Sequence, residues 1–316
     1  MKKVGFIDTV HPILEHGLEE LGIDCIDLTS FSKEKIISER ENFWGFVVRS
    51  RFSLDYEFLR SFKNLEFIAR SGAGLENIDI NYCISANITL FNAPEGNRNA
   101  VAEHGIGMLL ALFNKLCSAQ SEVRAGEWNR EANRGIELEG KTVGIIGYGN
   151  NGSKFAQKLK SFDVNILAYD KYKSDFGNDF VKEVQMAEIY KKCDILSLHI
   201  PQNDETTFLV DSDFIQQFKK PFYLVNLARG KIVETSAIVK ALKCGVILGA
   251  CLDVLEYEKA SFEDMFSADS FVPDDFKYLI NSSKVILSPH VAGWTHESYY
   301  KLSSVLLAKI KHEYNL

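Results

Sequence analysis

The 316-residue chain has few cysteines and no CxxC pair: Cys25, Cys83, Cys117, Cys193, Cys244 and Cys251 stand far apart. That spacing excludes paired-thiolate zinc sites and thioredoxin-type redox motifs. Most of the six lie in apolar runs, so reduced core thiols of a cytoplasmic protein are expected. Basic charge is not in surplus either. A net charge of −7 argues against nucleic acid or a membrane surface as partner, because phosphate-rich surfaces favour basic faces. No cationic segment followed by an apolar stretch opens the chain, so no secretory signal is expected. Long apolar runs are missing: the best, 101–117, is broken by Glu103, His104, Asn114 and Lys115 and is too short to span a bilayer. Repeats and low-complexity segments are absent. None of the seven histidines stands at i, i+3 or i+4 from another with a companion acid; His290 and His296 are merely close. No metal is expected.

What the chain does have is an alternation of short β-rich apolar runs with helical patterns, which predicts parallel sheets covered by helices. Its length allows two domains. The first series of strand candidates is 3–7, 24–28, 46–49, 65–69 and 88–91. A helix is expected over 12–21, with Ile13, Leu14, Leu18 and Leu21 on one face. A longer one, over about 99–116, carries Ala102, Ile106, Leu109, Leu110 and Phe113 and is apolar nearly all round, as a connector buried between larger units would be. The second series is 142–146, 164–169, 194–199, 222–227, 247–253 and 285–287. Six strands is the count of a full dinucleotide-binding domain. The stretch 259–283, rich in Asp, Ser and Phe, reads as a surface excursion, and Leu302, Leu306 and Ile310 place one apolar stripe on a terminal helix.

Gly147-Tyr148-Gly149-Asn150-Asn151-Gly152 has the form GxGxxG. Alone this is a weak signal, since a tight turn explains it equally well. Its context is stronger: it follows the run Thr142-Val143-Gly144-Ile145-Ile146 and opens a helix with Phe155, Leu159 and Phe162 facing the sheet. Such glycines permit close backbone approach, while a helix N-terminus offers free N–H groups to a pyrophosphate. The next strand ends at Asp170, 18 positions beyond Gly152. An acid there accepts hydrogen bonds from ribose hydroxyls and repels a 2′-phosphate, which favours NAD over NADP; Lys171 and Lys173 offset this slightly.

Ligands of open parallel sheets bind beyond the carboxyl ends of the strands. Arg229 follows one strand candidate of the second series, His290 follows another, and after the run 247–253 both Glu256 and Glu258 are in range. An Arg can clamp a carboxylate, and a His can exchange a hydroxyl proton while a hydride moves. A neighbouring carboxylate would hold the imidazole and favour its charged form. Position alone leaves Glu256 and Glu258 in competition.

From Asn92 to Ser298 the sequence resembles the D-isomer-specific 2-hydroxyacid dehydrogenases. Asn92-Ala93-Pro94-Glu95-Gly96-Asn97, followed by Val101-Ala102-Glu103, is similar to the start of that family's domain-spanning helix. Ser197-Leu198-His199-Ile200-Pro201 resembles S-L-H-x-P, and Asn226-Leu227-Ala228-Arg229-Gly230 resembles N-x-x-R-G. Asp253-Val254-Leu255-Glu256-Tyr257-Glu258 is similar to D-V-x-x-x-E, and Ser288-Pro289-His290-Val291-Ala292-Gly293-Trp294-Thr295 contains P-H-x-x-G-x-T. The resemblance implies that Arg229 binds substrate, that Glu258 rather than Glu256 is the catalytic acid, and that His290 is the acid–base. It places His199, Pro201, Ala228 and Asp253 along NAD with the glycine loop. Two positions depart from the pattern: Lys259 stands where Pro is usual, and Asn151 where an apolar or basic residue is common. Formate dehydrogenases resemble the pattern but carry Gln at the position of Glu258, so a hydroxy-acid/keto-acid couple is implied.

The same resemblance implies an α/β fold of two doubly wound parallel-sheet domains. A Rossmann NAD domain, 99–291, is inserted in a smaller flavodoxin-like substrate domain made of 1–98 and 292–316. Arg70-Ser71-Gly72-Ala73-Gly74, with Asn77-Ile78-Asp79, resembles the segment whose N–H groups hold the substrate carboxylate, and a glycine-rich loop suits such an anion nest. The turn Arg49-Ser50-Arg51 looks like the phosphoglycerate branch of the family, so Arg49, Arg51 and Arg70 are candidates for a second anionic subsite. A D-3-phosphoglycerate/3-phosphohydroxypyruvate couple of serine biosynthesis is the first expectation, and reduction of glyoxylate, hydroxypyruvate or another 2-keto acid the alternative. Because that branch often carries a further regulatory domain, a chain ending at Leu316 reads as a short, unregulated form. The helix from Asn99, with segment 121–134 and Trp128, resembles the family's dimerisation arm and implies a homodimer. The competing class is an NADH-sensing binding protein of the co-repressor kind, because a scaffold does not fix its function.

Overall fold

A strand inside a parallel sheet has helices on both faces, so every position along it must be apolar or small. The two series of runs meet that requirement. The computed structural model describes residues 2–39, 42–258 and 272–316, and the chain divides into two compact units. One holds residues 2–97 with Trp294–Leu316; the other holds 98–258 and 272–293.

In the first unit, β1 (Lys3–Phe6), β2 (Asp24–Asp27), β3 (Gly45–Val48), β4 (Phe67–Arg70) and β5 (Thr89–Asn92) pair in the order β2-β1-β3-β4-β5, all parallel. Successive side chains serve opposite faces. Phe46 and Val48 join a cluster with Ile7, Phe58 and Ile68, whereas Val47 lies on the other face with Val4, Phe67 and Phe91. The terminal helix His296–Tyr314 covers that second face through Leu302, Leu306 and Ile310, the three residues of the expected stripe. A capping box at its start, Thr295 with Ser298, satisfies two otherwise unpaired N–H groups.

In the second unit, β6 (Thr142–Ile146), β7 (Asn165–Tyr169), β8 (Val181–Glu183), β9 (Ile195–Leu198), β10 (Phe222–Asn226), β11 (Ile247–Leu252) and β12 (Val285–Leu287) form a parallel sheet in the order β12-β11-β10-β9-β6-β7-β8. This is the dinucleotide-binding order with one strand more than the six expected. The addition is β8, an edge strand of three residues reading Val-Lys-Glu, too short and too polar to register as an apolar run. Ile145 and Val225 pack on one face while Ile146 and Leu224 pack on the other.

Three local expectations differ from the structure. The long helix runs Pro94–Phe113 rather than 99–116. Proline suits a first helical turn, and the helix ends early because Lys115 adopts a left-handed backbone, φ +52°, before a second helix, Leu116–Arg124. Much of the supposed surface excursion lies outside the described residues, but its last part is a helix, Asp274–Asn281, with Phe276 and Leu279 in the core. Cys117 and Cys244 are exposed; Cys83, Cys193 and Cys251 are buried, and all six are free. Burial pushes the Cys83 thiol up to about 11 and Cys193 up to about 12, which makes them poor nucleophiles. Among the described residues no single helix is long and apolar enough to cross a membrane.

Leu306 is wholly buried where the terminal helix meets the first sheet. Leu306→Ala is expected to lower unfolding free energy by about 2–5 kcal/mol through lost transfer energy and a residual cavity. The check is a lower urea midpoint at unchanged slope; an unmoved midpoint would contradict the packing.

Candidate active site

Strand order in the second sheet reverses at β6, which lies between β7 and β9, and a crevice opens at the carboxyl ends of such strands. The glycine loop fills the turn after β6. Gly147 has φ +91°, and a Cβ there would lie 2.5 Å from the His199 carbonyl at the end of β9. A Cβ on Gly152 would run into the Gly147 carbonyl, whereas one on Gly149 would meet nothing. Gly149 caps the helix Asn150–Leu159 without any side-chain bond, so the first-turn N–H groups face an open cradle. A pyrophosphate fits this arrangement of donors and space.

Individual residues of the loop divide their duties. Tyr148 contributes backbone only, because its ring stacks on Phe176 at 4.6 Å and faces the core. Asp170, expected at the ribose, also ties the loop together: it accepts the N–H groups of Tyr148 (2.8 Å), Tyr172 (2.9 Å) and Lys173 (3.1 Å). The Oδ1 of Asn151 is buried and without a hydrogen-bond partner. Past β9, His199 bonds Ser197 Oγ through Nε2 at 2.8 Å, and its Nδ1 is sealed from solvent with no partner. Burial therefore pushes the imidazole down to about 3. Pro201 is exposed, with its carbonyl accepting Thr206 Oγ1 at 2.7 Å. A link not expected from the sequence joins the two loop tips, since Glu205 accepts both Lys171 Nζ (2.6 Å) and Tyr172 Oη (2.7 Å).

The other three candidates follow adjacent strands, in the sheet order β12-β11-β10. Arg229 comes after β10 in a turn held by Asn226, whose amide donates to the Arg229 carbonyl and accepts the Ala228 N–H. Arg229 Nη1 donates to the Ala228 carbonyl at 2.6 Å. The next turn passes so close to the loop after β11 that a Cβ on Gly230 would collide with the Leu255 carbonyl. Geometry separates the two acids. Glu256 accepts the Thr235 N–H at 2.9 Å, at the start of helix Thr235–Cys244. Glu258 takes the Leu255 N–H on Oε1 and sits 2.7 Å from His290 Nδ1 through Oε2.

His290 has φ +55°, a conformation costly for any residue but glycine. Asp253 holds it there. The Asp253 carbonyl accepts the His290 N–H at 2.8 Å, and its carboxylate accepts Ser288 Oγ (2.6 Å), Val291 N–H (2.9 Å) and Ala292 N–H (2.9 Å). The carboxylate is buried, with His104 Nε2 3.6 Å away. Asp253 was expected along the cofactor; its described bonds instead belong to the loop that carries His290. The bonds among Asp253, Ser288 and His104 did not stand out in the sequence, since nothing in the spacing of these residues announces a contact 35 or more positions away.

The first unit's candidates divide as well. Arg51 does not present its guanidinium to an anion: it donates to the carbonyls of Thr29, Leu28 (3.3 Å) and Phe31 (2.6 Å), fastening the turn after β2. Arg49 lies over the Trp294 ring, 4.0 Å from its centroid, and its N–H meets Asp8 at 2.6 Å. Burial lowers the Arg49 guanidinium from its usual range, with Asp8 opposing. Ser50 lies in the turn between them. Arg70 Nε donates to the Arg49 carbonyl at 3.3 Å. The expected nest is half used: the Ser71 and Gly72 N–H groups bond the carbonyls of Val48 and Arg70, which leaves those of Ala73 and Gly74. Asn92 steadies the loop by donating to the Ala73 carbonyl at 2.6 Å.

A pyrophosphate cradle at the switch point of one parallel sheet, with a carboxylate and an imidazole paired three and four strands beyond it, belongs to the nicotinamide-dependent oxidoreductases. Comparison with known proteins narrows that class. The model for the D-isomer specific 2-hydroxyacid dehydrogenase NAD binding domain matches residues 106–292, more than half of the chain, and the chain belongs to that family. It is 34% identical over 304 residues to a D-3-phosphoglycerate dehydrogenase of Archaeoglobus fulgidus, covering 95% of this chain and 55% of that one. The chain thus spans about half the length of the phosphoglycerate relatives it matches. A hydroxypyruvate reductase of Thermotoga maritima is 31% identical, covering 93% of this chain and 92% of its own. A crystal structure of D-lactate dehydrogenase from Aquifex aeolicus, complexed with NAD and lactic acid, superposes with a TM-score of 0.83 at 25% identity, over 99% of this chain and 96% of that one.

Two outcomes are expected from this geometry. Gly152→Ala should weaken NADH binding about tenfold or more by pushing the loop off its cradle, measured by fluorescence titration; an unchanged Kd would remove the loop from cofactor binding. His199 stays neutral in the fold down to about pH 3, while the unfolded chain takes up a proton near 6.5. Stability should therefore rise with pH between those values, by at most about 1.4 kcal/mol per unit for one proton, and level off above. His199→Asn should flatten that slope in urea titrations at pH 4, 5 and 6, and an unaltered slope would contradict the burial.

Proposed function

We propose that the chain is an NAD-dependent dehydrogenase that moves a hydride to and from C2 of a small anionic D-2-hydroxy acid or 2-keto acid. The 2.7 Å Glu258–His290 pair beyond β11 and β12, beside Arg229 after β10, carries this reading. The glycine loop and Asp170 would hold NAD, which supplies the hydride acceptor or, reduced, the donor. Arg229 binds the substrate carboxylate or the C2 oxygen through its planar fork of donors. His290 gives a proton to that oxygen, or takes one, through Nε2. Glu258 fixes the ring through Nδ1 and steadies the imidazolium. The Ala73 and Gly74 N–H groups give the first unit a place for a carboxylate.

Our first assignment of substrate is 3-phosphohydroxypyruvate with D-3-phosphoglycerate, a reaction of serine biosynthesis. Support comes from the phosphoglycerate relatives and from Arg49, whose guanidinium makes no hydrogen bond among the described residues. Two observations favour a second assignment, an unphosphorylated acid such as hydroxypyruvate or glyoxylate. Arg51 is committed to backbone carbonyls, and a hydroxypyruvate reductase is 31% identical over 295 residues. A homodimer is proposed on the exposed apolar side chains Leu116, Val123, Trp128 and Ile136, and a cytoplasmic location accords with six free cysteines.

NADH oxidation across a panel of 2-keto acids tests the assignment. Fast turnover with 3-phosphohydroxypyruvate, far above pyruvate and glyoxylate, is expected; preference for an unphosphorylated acid transfers the assignment to the second substrate. His290→Ala should lower kcat by about 10²–10⁴-fold with NADH binding intact. No turnover of any acid despite tight NADH binding would retire the enzyme in favour of an NADH-sensing protein.

A further inference from the structure

A histidine that stands part-buried on the helix Pro94–Phe113, with its side chain 29% exposed, can bond a neighbouring polar group as well as water. His104 finds one in Ser288: Nε2 lies 2.9 Å from the hydroxyl oxygen. That hydroxyl lies 2.6 Å from Asp253 Oδ1. An ionised carboxylate only accepts, so the single hydroxyl proton of Ser288 goes to Asp253. The Ser288 oxygen is then an acceptor, and the proton between it and His104 belongs to Nε2. A directed chain results: His104 donates to Ser288, Ser288 donates to Asp253, and Asp253 receives the N–H groups of His290, Val291 and Ala292 on its carbonyl and carboxylate.

We propose that His104 is a positioning residue for His290, acting through Ser288 and Asp253. The inference rests on the reading of His290 as the acid–base group. Bonds in such a chain polarise one another, so the His104 donor strengthens Ser288 as a donor and steadies the buried Asp253 charge. Without it, Ser288 can turn its proton elsewhere; the sulfur of Met108 is 3.7 Å from the same oxygen. Asp253 would then hold the 290–292 turn less firmly. His290 sits in a left-handed conformation that surrounding bonds must enforce, so a loosened turn moves the imidazole from its working place.

The test uses the full chain and four variants: His104→Leu, His104→Gln, Ser288→Ala and the His104→Leu/Ser288→Ala double. His104→Leu is expected to speed amide hydrogen exchange at residues 290–292 and to lower kcat about tenfold or more, with NADH Kd unchanged. His104→Gln, which can place an N–H near Nε2, should restore most of both. The double variant should be no worse than the poorer single, because the two residues act in series. Wild-type exchange and kcat in His104→Leu would overturn the proposal. So would equal failure of the Gln and Leu variants, or losses that multiply in the double. The two readings fail separately. Activity surviving His290→Ala retires the acid–base assignment, whereas loss in His290→Ala with no effect of His104→Leu retires the positioning role alone. Exchange at 290–292 reports on the chain even where no acid is turned over.

Discussion

A carboxylate removed from water must be met by donors, and the buried charge of Asp253 meets that demand by organising the loop after β12. Three consecutive N–H groups, at 290, 291 and 292, end on this one residue. Their convergence gives His290 its positive φ and brings its ring to Glu258. Placement of the imidazole is therefore a consequence of where a charge was buried at the end of β11. Removing the carboxylate would leave Ser288 and the N–H groups of Val291 and Ala292 without their acceptor, while the His290 N–H would keep its main-chain carbonyls.

The glycine loop follows the same economy with neutral groups. Gly147 and Gly152 exist where no side chain fits, one against the end of β9 and the other against its own loop. Asp170 then collects three N–H groups across the turn. Backbone donors at a helix start remain for an anion, and no side chain needs to move to present them. In the first unit the Ala73 and Gly74 N–H groups are left by a similar turn, steadied by Asn92.

Much of this was legible in the sequence. Strands buried on both faces leave continuous apolar runs, so every strand but β8 registered, with ends shifted by one or two residues at most. The motifs carried Arg229, Glu258 and His290 because each follows a strand whose neighbours are also recognisable. Edge strand β8 escaped since only Val181 of its three residues is buried. On position alone Glu256 and Glu258 stood equal; the motif chose Glu258, and in the structure the Thr235 N–H takes Glu256 while Glu258 meets His290. Arg51 looked like an anion ligand beside Arg49, yet its donors serve carbonyls 20 to 23 positions upstream, which sequence neighbours cannot reveal. The network of His104, Ser288 and Asp253 was hidden for the same reason: its members come from three separate segments, and only the fold makes them neighbours.

Hydride transfer to C2 is the central claim, and isotope transfer tests it most directly. NADH carrying deuterium at both C4 positions of the nicotinamide is incubated with the chain and the preferred 2-keto acid, and the product is resolved on a chiral column and weighed by mass spectrometry. The account predicts a D-2-hydroxy acid with the deuterium at C2. Product of the opposite hand, or a chain that binds the labelled cofactor and passes deuterium to no acid, would contradict it.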